Sequence, residues 1–213
     1  GCDAEIDVER YLTTAESPDG RPAAAVLLFA FNAEAVKLAA QHRVAQCILT
    51  APSTACFNGL PEAAESFSLG KYLRYFGDGF ERRVESGEAR GASGGLSSQL
   101  APGNSRLLWY IPMMDGEFCV EATAGIAKGI AGGNIIIQAA GEAAGLAAGR
   151  RAAAAMAPLP GVITPFPGGV CRSGSKVGAN KYKSLHASTA EAYCPTLRDQ
   201  VKSELVAGTN CAY

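Results

Sequence analysis

RLLWYIPMMDGEFCVE, residues 106–121, decides more of the fold than any other stretch of the chain. Two apolar runs, residues 106–111 and 117–121, flank the turn Met114-Asp115-Gly116. An Asp-Gly pair between apolar runs is a hairpin signal, because glycine adopts the backbone angles that tight turns need. We therefore expect two antiparallel strands around this turn.

The turn also divides the chain into two predicted lobes. Residues 1–115 form a proximal, N-terminal lobe and residues 116–213 a distal, C-terminal lobe. The first residue is glycine rather than methionine, and the last four residues stop where a strand is expected to begin. We expect the proximal lobe to lack its start and the distal lobe to lack its end.

On the N-terminal side, the pattern predicts alternating strands and helices. Residues 23–31 are an unbroken apolar run that favours a buried strand, and Asn32 is a good cap for a helix over residues 33–42. Residues 46–50 then favour a second, parallel strand, and residues 69–76 a third. The proximal lobe is predicted to mix strands with helices.

On the C-terminal side, the alanine-rich residues 142–156 predict a helix despite Gly145 and Gly149, which suggest that the helix packs closely on a sheet. A strand is expected over residues 135–139 and another from Cys211. Short helical turns are expected within residues 188–207. The fold class predicted for the whole chain is α+β.

Composition excludes several classes of function. The chain has 213 residues, 48% hydrophobic and 18% charged, and a formal net charge of -1, so the basic surface of a nucleic-acid-binding protein is not expected. The apolar run at residues 23–31 is too short to span a bilayer, and no signal peptide is evident. Small-molecule substrates, protein partners and a cytoplasmic location are expected.

The seven cysteines are scattered, without a C-x-x-C pair, as in a reduced compartment. The two histidines, His42 and His186, do not lie at metal-ligand spacing from any cysteine. We expect no metal site.

Residues 164–195 carry the strongest functional signal. Pro165 and Pro167 fix the backbone beside Gly168 and Gly169, so this segment is predicted to be a shaped loop that presents main-chain N–H groups to a ligand. Four basic residues against one glutamate give the segment a positive charge that suits an anionic substrate with carboxylates, although a solvated loop face explains it equally well.

Three other interpretations of this segment compete. Gly169 and Gly174 followed by Ser175-Lys176 resemble a phosphate-binding loop, but the lysine follows the serine instead of preceding it. Ser173 or Ser175 with Lys176 would make a Ser/Lys amidase. Cys171 or Cys194 with His186 would make a thiol nucleophile, although small buried packing groups are the better interpretation of these cysteines.

Taken together, ten segments resemble those of one family, the formylmethanofuran:tetrahydromethanopterin formyltransferases of methanogens and methylotrophic bacteria. They occur in collinear order over almost the whole chain. They are Ser17-Pro-Asp-Gly-Arg-Pro, Gln46-Cys-Ile-Leu-Thr-Ala-Pro, Phe76-Gly-Asp-Gly, Gly116-Glu-Phe, Ala131-Gly-Gly-Asn, Ala143-Ala-Gly-Leu, Pro165-Phe-Pro-Gly-Gly, Ser175-Lys-Val-Gly, Ala187-Ser-Thr and Ala192-Tyr-Cys-Pro.

The resemblance implies two ferredoxin-like lobes, both incomplete here, in a homo-oligomer. It implies transfer of a formyl group between methanofuran, or an analogue, and N5 of tetrahydromethanopterin through a tetrahedral intermediate. The two carriers are co-substrates, and no permanently bound cofactor is expected. The composition is closer to the bacterial members, which implies oxidative one-carbon metabolism and a complex with hydrolase subunits.

The resemblance also implies site residues. The backbone amides of Gly168 and Gly169 would meet the oxyanion, and Asp78 is the carboxylate expected to face the cleft. Family members place a glutamate acid-base group at a position just past Tyr213, so the fragment itself is expected to be inactive. The expected substrate contacts are Pro52, Thr54 and Phe57 for the pterin, Lys176 for the methanofuran carboxylates, and Pro165, Phe166, Pro167, Ser175 and Tyr193.

Two alternatives to formyl transfer stay open. A scaffold subunit that only positions a partner enzyme would tolerate loss of the acid-base carboxylate. A Ser/Lys amidase is the third hypothesis, and it predicts covalent labelling of Ser173 or Ser175.

Overall fold

The computed structural model describes residues 4–85, 106–130, 132–172 and 190–213. Its described part is α+β and consists of two compact units, Gly1–Ala131 and Gly132–Tyr213. The division after residue 131 lies beyond the predicted lobe boundary at residue 115, because the strands that follow the turn pair with strands of the first unit. The boundary at residue 115 stays a prediction about the lobes of the family.

The first unit is built on a four-stranded sheet. Its strands are β3 (Ala55–Cys56), β5 (Arg82–Glu85), β6 (Leu107–Met113) and β7 (Gly116–Glu121), in the order β3-β7-β6-β5. β6 and β7 pair antiparallel from Leu108 with Glu121 to Met113 with Gly116, so the predicted hairpin is confirmed. β3 is parallel to β7.

Two antiparallel pairs complete the strands of this unit. β1 (Glu5–Leu12) pairs with β2 (Ala23–Phe29), and β4 (Glu65–Ser68) pairs with β8 (Thr123–Ile126). β1 also has a register shift between Val8 and Arg10. The strand predicted over residues 23–31 is therefore confirmed over most of its length, but the prediction that it is buried is wrong, because its residues are half-buried or exposed.

Helix α1 (Ala33–Arg43) begins where the sequence predicts, because the Asn32 side chain accepts a hydrogen bond of 2.8 Å from the Ala35 N–H. The strand predicted over residues 46–50 is wrong. Instead, the chain continues from α1 as a π-helical turn, Val44–Ile48, and Val44, Ala45 and Leu49 are buried. The predicted β-α-β unit is absent from this described segment.

The strand predicted over residues 69–76 is also wrong. It is the short helix α2 (Gly70–Leu73) followed by a 3-10 turn, Arg74–Gly77. Leu69 and Leu73 are both buried, four residues apart, which is the spacing of one helical face. A short apolar run does not by itself distinguish these two structures.

The sheet of the first unit has apolar side chains on both faces. Successive residues of a strand point to opposite faces, so Leu108 and Tyr110 lie on one face and Ile111 on the other. The larger cluster contains Ile111 and the side chains of α2 and of the π-helical turn. The smaller cluster contains Leu108, Tyr110 and Cys119, with Phe57 packed against it.

The second unit pairs β9 (Gln138–Ala139) with β10 (Cys211–Ala212), antiparallel. Helix α3 (Glu142–Met156) has the predicted bounds. The strand expected over residues 135–139 is regular only at its end, whereas the helical turns expected within residues 188–207 are present as the 3-10 turns Glu191–Tyr193 and Pro195–Leu197. The strand expected from Cys211 is confirmed.

In the described ranges, no helix combines the length and the apolar character that crossing a lipid bilayer requires.

Candidate functional site

The Pro-Phe-Pro-Gly-Gly segment forms an exposed bend in the second unit. Pro167–Gly169 is a single 3-10 turn entered from Phe166 in extended conformation. Gly168 has φ 67° and Gly169 has φ 71°, in the left-handed region that side chains disfavour. Phe166, Pro167 and Gly168 are exposed, as the prediction of a ligand-presenting loop requires.

The two glycine amides of the bend differ in their hydrogen bonding. The Gly169 N–H donates to the Phe166 carbonyl at 2.8 Å and closes the turn. The Gly168 N–H has no partner among the described residues, and the space around Gly168 is open. Because the Gly169 N–H is already paired, only the Gly168 N–H of the two expected donors is available to an oxyanion.

Helix α3 packs against the bend. A Cβ added at Gly169 would overlap the Ala153 Cβ, and one added at Gly149 would lie 2.8 Å from Val170 Cγ2. Gly145 similarly makes room for the ring of Tyr213. The helix glycines therefore admit the bend and the last strand, which agrees with the close packing predicted for them.

Tyr193 lies in the Glu191–Tyr193 turn of the same unit. Its hydroxyl donates a hydrogen bond of 2.6 Å to Glu204 Oε2, and this bond together with the carboxylate charge raises the pKa of Tyr193. The pair holds a neutral phenol oriented by a carboxylate. Ser173, Ser175, Lys176 and His186 lie outside the described residues, so the structure does not bear on their expected roles.

Asp78 lies at the tip of a turn in the first unit. It has φ 49° and ends the 3-10 turn Arg74–Gly77, with its N–H donating to the Tyr75 carbonyl at 3.1 Å. The residue is exposed, and its carboxylate pairs with no described residue. Asp78 therefore has a structural role in the turn, and its carboxylate stays a candidate for proton transfer.

The three expected pterin contacts in the first unit differ in availability. Thr54 Oγ1 lies 2.6 Å from the Ile48 carbonyl and 3.0 Å from the Ala51 carbonyl, so its proton is committed to the backbone. Phe57 packs on the smaller apolar cluster of the sheet. Pro52 is exposed and remains accessible to a ligand.

Sequence reasoning did not identify the side chains that bind the backbone of the loop around Ser53. Arg21 Nη1 donates to the Ser53 carbonyl, and Asp115 Oδ2 accepts from the Ser53 N–H at 2.9 Å. Both side chains belong to segments singled out by sequence, the Ser-Pro-Asp-Gly-Arg motif and the hairpin turn. Their spatial relation to Ser53 could not be inferred, because they lie 32 and 62 residues away along the chain.

A buried carboxylate was also missed. Glu121 is only 8% exposed, and its Oε2 accepts hydrogen bonds of 2.8 Å from Arg106 Nη1 and 2.9 Å from the Asn58 N–H. Both bonds fix the position of this carboxylate. Glu121 therefore ties the end of β7 to the segment after β3.

Two thiols of the first unit have raised pKa values. Burial raises the pKa of Cys56 to about 12, with a smaller contribution from the charge of Glu121. Burial likewise raises the pKa of Cys119 to about 12. Cys194, one of the thiols considered above, contacts the Thr196 hydroxyl at 3.2 Å. In the described part of the chain, no three His, Cys, Asp or Glu side chains group as metal ligands.

These features define an α+β protein with an exposed Pro/Gly bend on one unit and a tethered, partly exposed loop on the other. Two family models match the chain, one described as formylmethanofuran-tetrahydromethanopterin formyltransferase over residues 1–92 and one as FTR, proximal lobe, over residues 116–213. The chain belongs to the formylmethanofuran-tetrahydromethanopterin formyltransferase family. The description of the second model places the proximal lobe at residues 116–213, whereas the proximal lobe was expected at residues 1–115.

Relatives named formylmethanofuran--tetrahydromethanopterin formyltransferase match nearly the whole chain. The protein of Methylococcus capsulatus is 46% identical over 96% of this chain and 62% of its own length. That of Methanococcoides burtonii is 43% identical over 100% of this chain and 66% of its own length. The chain thus spans slightly less than two thirds of these relatives.

A solved structure agrees with this assignment. The formyltransferase/hydrolase complex of Methylorubrum extorquens with methylofuran contains a chain that matches with a TM-score of 0.85 and 40% identity. The match covers 100% of this chain and 65% of that one. The α+β fold class predicted from the sequence is confirmed.

Proposed function

We propose that this protein transfers a formyl group between a methanofuran-type carrier and tetrahydromethanopterin. The observation that carries the proposal is the match to relatives of that name, at 43% and 46% identity along nearly the whole chain. The exposed bend at residues 165–169 adds a physical reason, because acyl transfer needs main-chain donors held ready beside the reacting carbonyl.

The chemistry follows from the groups that react. An amine nitrogen of one carrier attacks the formyl carbon on the other, and the formyl oxygen becomes an oxyanion. When this intermediate collapses, the bond between the formyl carbon and the nitrogen of the carrier that held it breaks, and that nitrogen leaves as an amine after it takes up a proton. The Gly168 N–H is the available donor for that oxygen. One donor of this kind typically lowers the activation free energy by about 2.7 to 4 kcal/mol. Pro165 and Pro167 limit the motion of the bend, so little reorganisation is needed at the transition state.

A carboxylate must carry the proton between the two amines. Asp78 is exposed and unpaired among the described residues, so it is our candidate within this chain. Pro52 would line the pterin site and Phe166 would contact a substrate, because both are exposed apolar side chains. Lys176 remains our candidate for the methanofuran carboxylates.

The setting of the reaction is also proposed. The two carriers act as co-substrates without a permanently bound cofactor, and the protein works in the cytoplasm as a homo-oligomer. Hydrolase subunits are its expected partners, since the Methylorubrum neighbour is a formyltransferase/hydrolase complex.

A formyl-exchange assay on the full-length gene product tests the proposal. Isotopically labelled formylmethanofuran, or its bacterial analogue, is mixed with tetrahydromethanopterin, and the label is followed to the pterin. We expect transfer that depends on enzyme concentration. Absence of transfer by a folded protein would overturn the proposal and leave the scaffold hypothesis.

An ester in place of the Gly168 amide tests the oxyanion donor, because the ester removes one N–H and leaves the side chains unchanged. We expect kcat to fall about 100- to 1000-fold. The matched control is the same replacement at Gly169, whose N–H closes the turn. The control should lose stability and retain most of its kcat, and equal losses of kcat in both proteins would contradict the assignment.

A further inference from the structure

Ser53 is held at two points by segments that are distant in sequence. Its N–H donates to Asp115 Oδ2 at 2.9 Å, and its carbonyl accepts from Arg21 Nη1. The next residue, Thr54, is fixed through its hydroxyl to two carbonyls of the preceding turn. Both backbone polar groups of Ser53 are therefore occupied, and its position is set by its neighbours.

The backbone of Ser53 is strained. Its φ of 61° lies in the left-handed region, and among the described residues only Ser53 and Asp78 have a positive φ without being glycine. A glycine would adopt this angle without cost, whereas a serine persists there only when its surroundings hold it. Strain of this kind concentrates at ligand-binding and catalytic positions.

Arg21 is itself fixed by a buried charge. Asp19 is 3% exposed, and its carboxylate accepts from Arg21 Nε at 2.8 Å, from Arg21 Nη2 at 2.6 Å and from the Ser17 hydroxyl at 2.9 Å. Two guanidinium nitrogens of Arg21 thus bind Asp19. These bonds orient the third nitrogen toward the Ser53 carbonyl. The arrangement is more rigid than an exposed ion pair would be.

The group that this arrangement presents is the Ser53 hydroxyl. Ser53 and its neighbour Pro52 are both exposed, and the hydroxyl forms no hydrogen bond with a described residue. An uncharged hydroxyl can both donate and accept a hydrogen bond, so it matches a ring edge that carries both amide and amine groups. A pterin ring has such an edge.

We propose that the Ser53 hydroxyl binds the pterin co-substrate and that Arg21 is a positioning residue that acts through Ser53. The proposal rests on the proposed function for the identity of the ligand. It adds two residues that sequence reasoning did not assign to the site. It also explains why a strained serine stands in a turn that glycine would form more easily.

The Ser53→Gly variant separates the hydroxyl from the shape of the turn. Glycine accepts the observed φ, so the melting temperature should stay the same or rise. Loss of one hydrogen bond should raise KM for tetrahydromethanopterin about three- to tenfold. KM for the methanofuran carrier and kcat should change less than about twofold.

Arg21→Lys and Arg21→Met test the positioning role. We expect both to raise KM for the pterin, with lysine the milder change, because an ammonium cannot bind Asp19 and Ser53 in the same forked geometry. The control is Arg10→Met, which removes an exposed arginine paired with Glu16 in the same unit. It should leave both KM values unchanged.

Calorimetric binding of tetrahydromethanopterin to the full-length protein distinguishes failure of this inference from failure of the proposed function. Binding weakened by Ser53→Gly without formyl transfer would support the inference and overturn the function. Formyl transfer with unchanged pterin binding and KM in Ser53→Gly would overturn the inference alone. A purely structural role is indicated if the Arg21 variants melt earlier and raise both KM values equally, and that result also overturns the positioning proposal.

Discussion

Gly168 and Gly169 are adjacent and share a left-handed backbone, yet their surroundings give them different tasks. Gly168 points into open space with a free N–H among the described residues, whereas Gly169 lies against α3 with its N–H paired. The sequence predicted a shaped loop in which both glycines present their N–H groups. It could not separate the donor from the packing residue, because that difference depends on Ala153 and Thr164.

Alanine substitutions measure this difference. Gly168→Ala introduces only a side chain with positive φ, which costs about 1 to 2 kcal/mol. Gly169→Ala adds a steric overlap with Ala153, so its total loss should reach about 2 to 5 kcal/mol. Urea unfolding of both variants gives the two free energies. Equal losses would show that the contact with α3 is not maintained in solution.

Asp19 makes the stability of the first unit sensitive to acid. Burial raises its pKa, but hydrogen bonds from Arg21 and Ser17 outweigh burial and hold the pKa of Asp19 below its ordinary value. A carboxyl whose pKa is lower in the folded than in the unfolded state contributes stability above its unfolded pKa, about 3.9. That contribution is lost as pH falls from about 4 through the folded pKa.

Thermal melts of wild-type protein and Asp19→Asn between pH 3 and 7 should therefore converge. At neutral pH the wild type should melt higher, because the variant leaves Arg21 without its charged partner. Below about pH 4 the difference should shrink. A difference that stays constant over the whole range would contradict the coupling between Asp19 and Arg21.

At the scale of elements, the sequence was sufficient to predict a helix or strand where a single capping or turn residue, or a regular run of helix-forming residues, decides the structure. Asn32 capped its helix, the Asp115-Gly116 turn made its hairpin, and the alanine-rich α3 had the expected bounds. The strands predicted over residues 46–50 and 69–76 were wrong, because short apolar runs are compatible with both strand and helix. Packing of Leu49, Leu69 and Leu73 in one cluster decided for helix there.

Because α3 contacts the bend, alanine in place of a glycine of this helix should change the free energy of unfolding in the direction opposite to the usual one. Alanine in place of a helical glycine normally adds about 0.8 to 1.0 kcal/mol of stability. At Gly149 the new Cβ would lie 2.8 Å from Val170 Cγ2, so Gly149→Ala should lower the free energy of unfolding. In a Val170→Ala background the same change should raise it.

A double-mutant cycle measured by urea unfolding gives the coupling, expected at about 0.5 to 3 kcal/mol. Ala147→Gly is the control, since Ala147 is exposed on the same helix. It should cost about 0.8 to 1.0 kcal/mol in both backgrounds. A Gly149 effect that is identical in both backgrounds would show that Val170 does not limit the space at this position.

At the scale of the whole molecule, the sequence predicted the α+β class and the family, because ten collinear segments carry information that no single motif has. It could not identify the hydrogen bonds of Arg21 and Asp115 to Ser53, because these three residues come together only in the folded state. Two of the three expected pterin contacts proved to be engaged in packing or backbone bonding.

Assembly provides a test at the same scale. The homo-oligomer proposed above needs an interface, in which aromatic side chains are enriched, and Phe80 is 81% exposed. We expect Phe80→Ser to reduce the assembled fraction of the full-length protein in light scattering, with a stability change within about 0.5 kcal/mol. Phe118→Ser, which removes a buried ring, should lower stability instead. An unchanged assembled fraction in Phe80→Ser would exclude this side chain from the interface.

The buried thiols of the sheet have a practical consequence for handling the protein in air. Oxidants attack the thiolate, and a pKa of about 12 leaves Cys56 and Cys119 almost wholly protonated at neutral pH. Cys47 lies on the π-helical turn and is exposed to solvent, where an oxidant or a second molecule can reach it. Intermolecular disulfides formed during storage should therefore involve Cys47 before either thiol of the sheet, and the sheet should survive oxidation that already cross-links the surface.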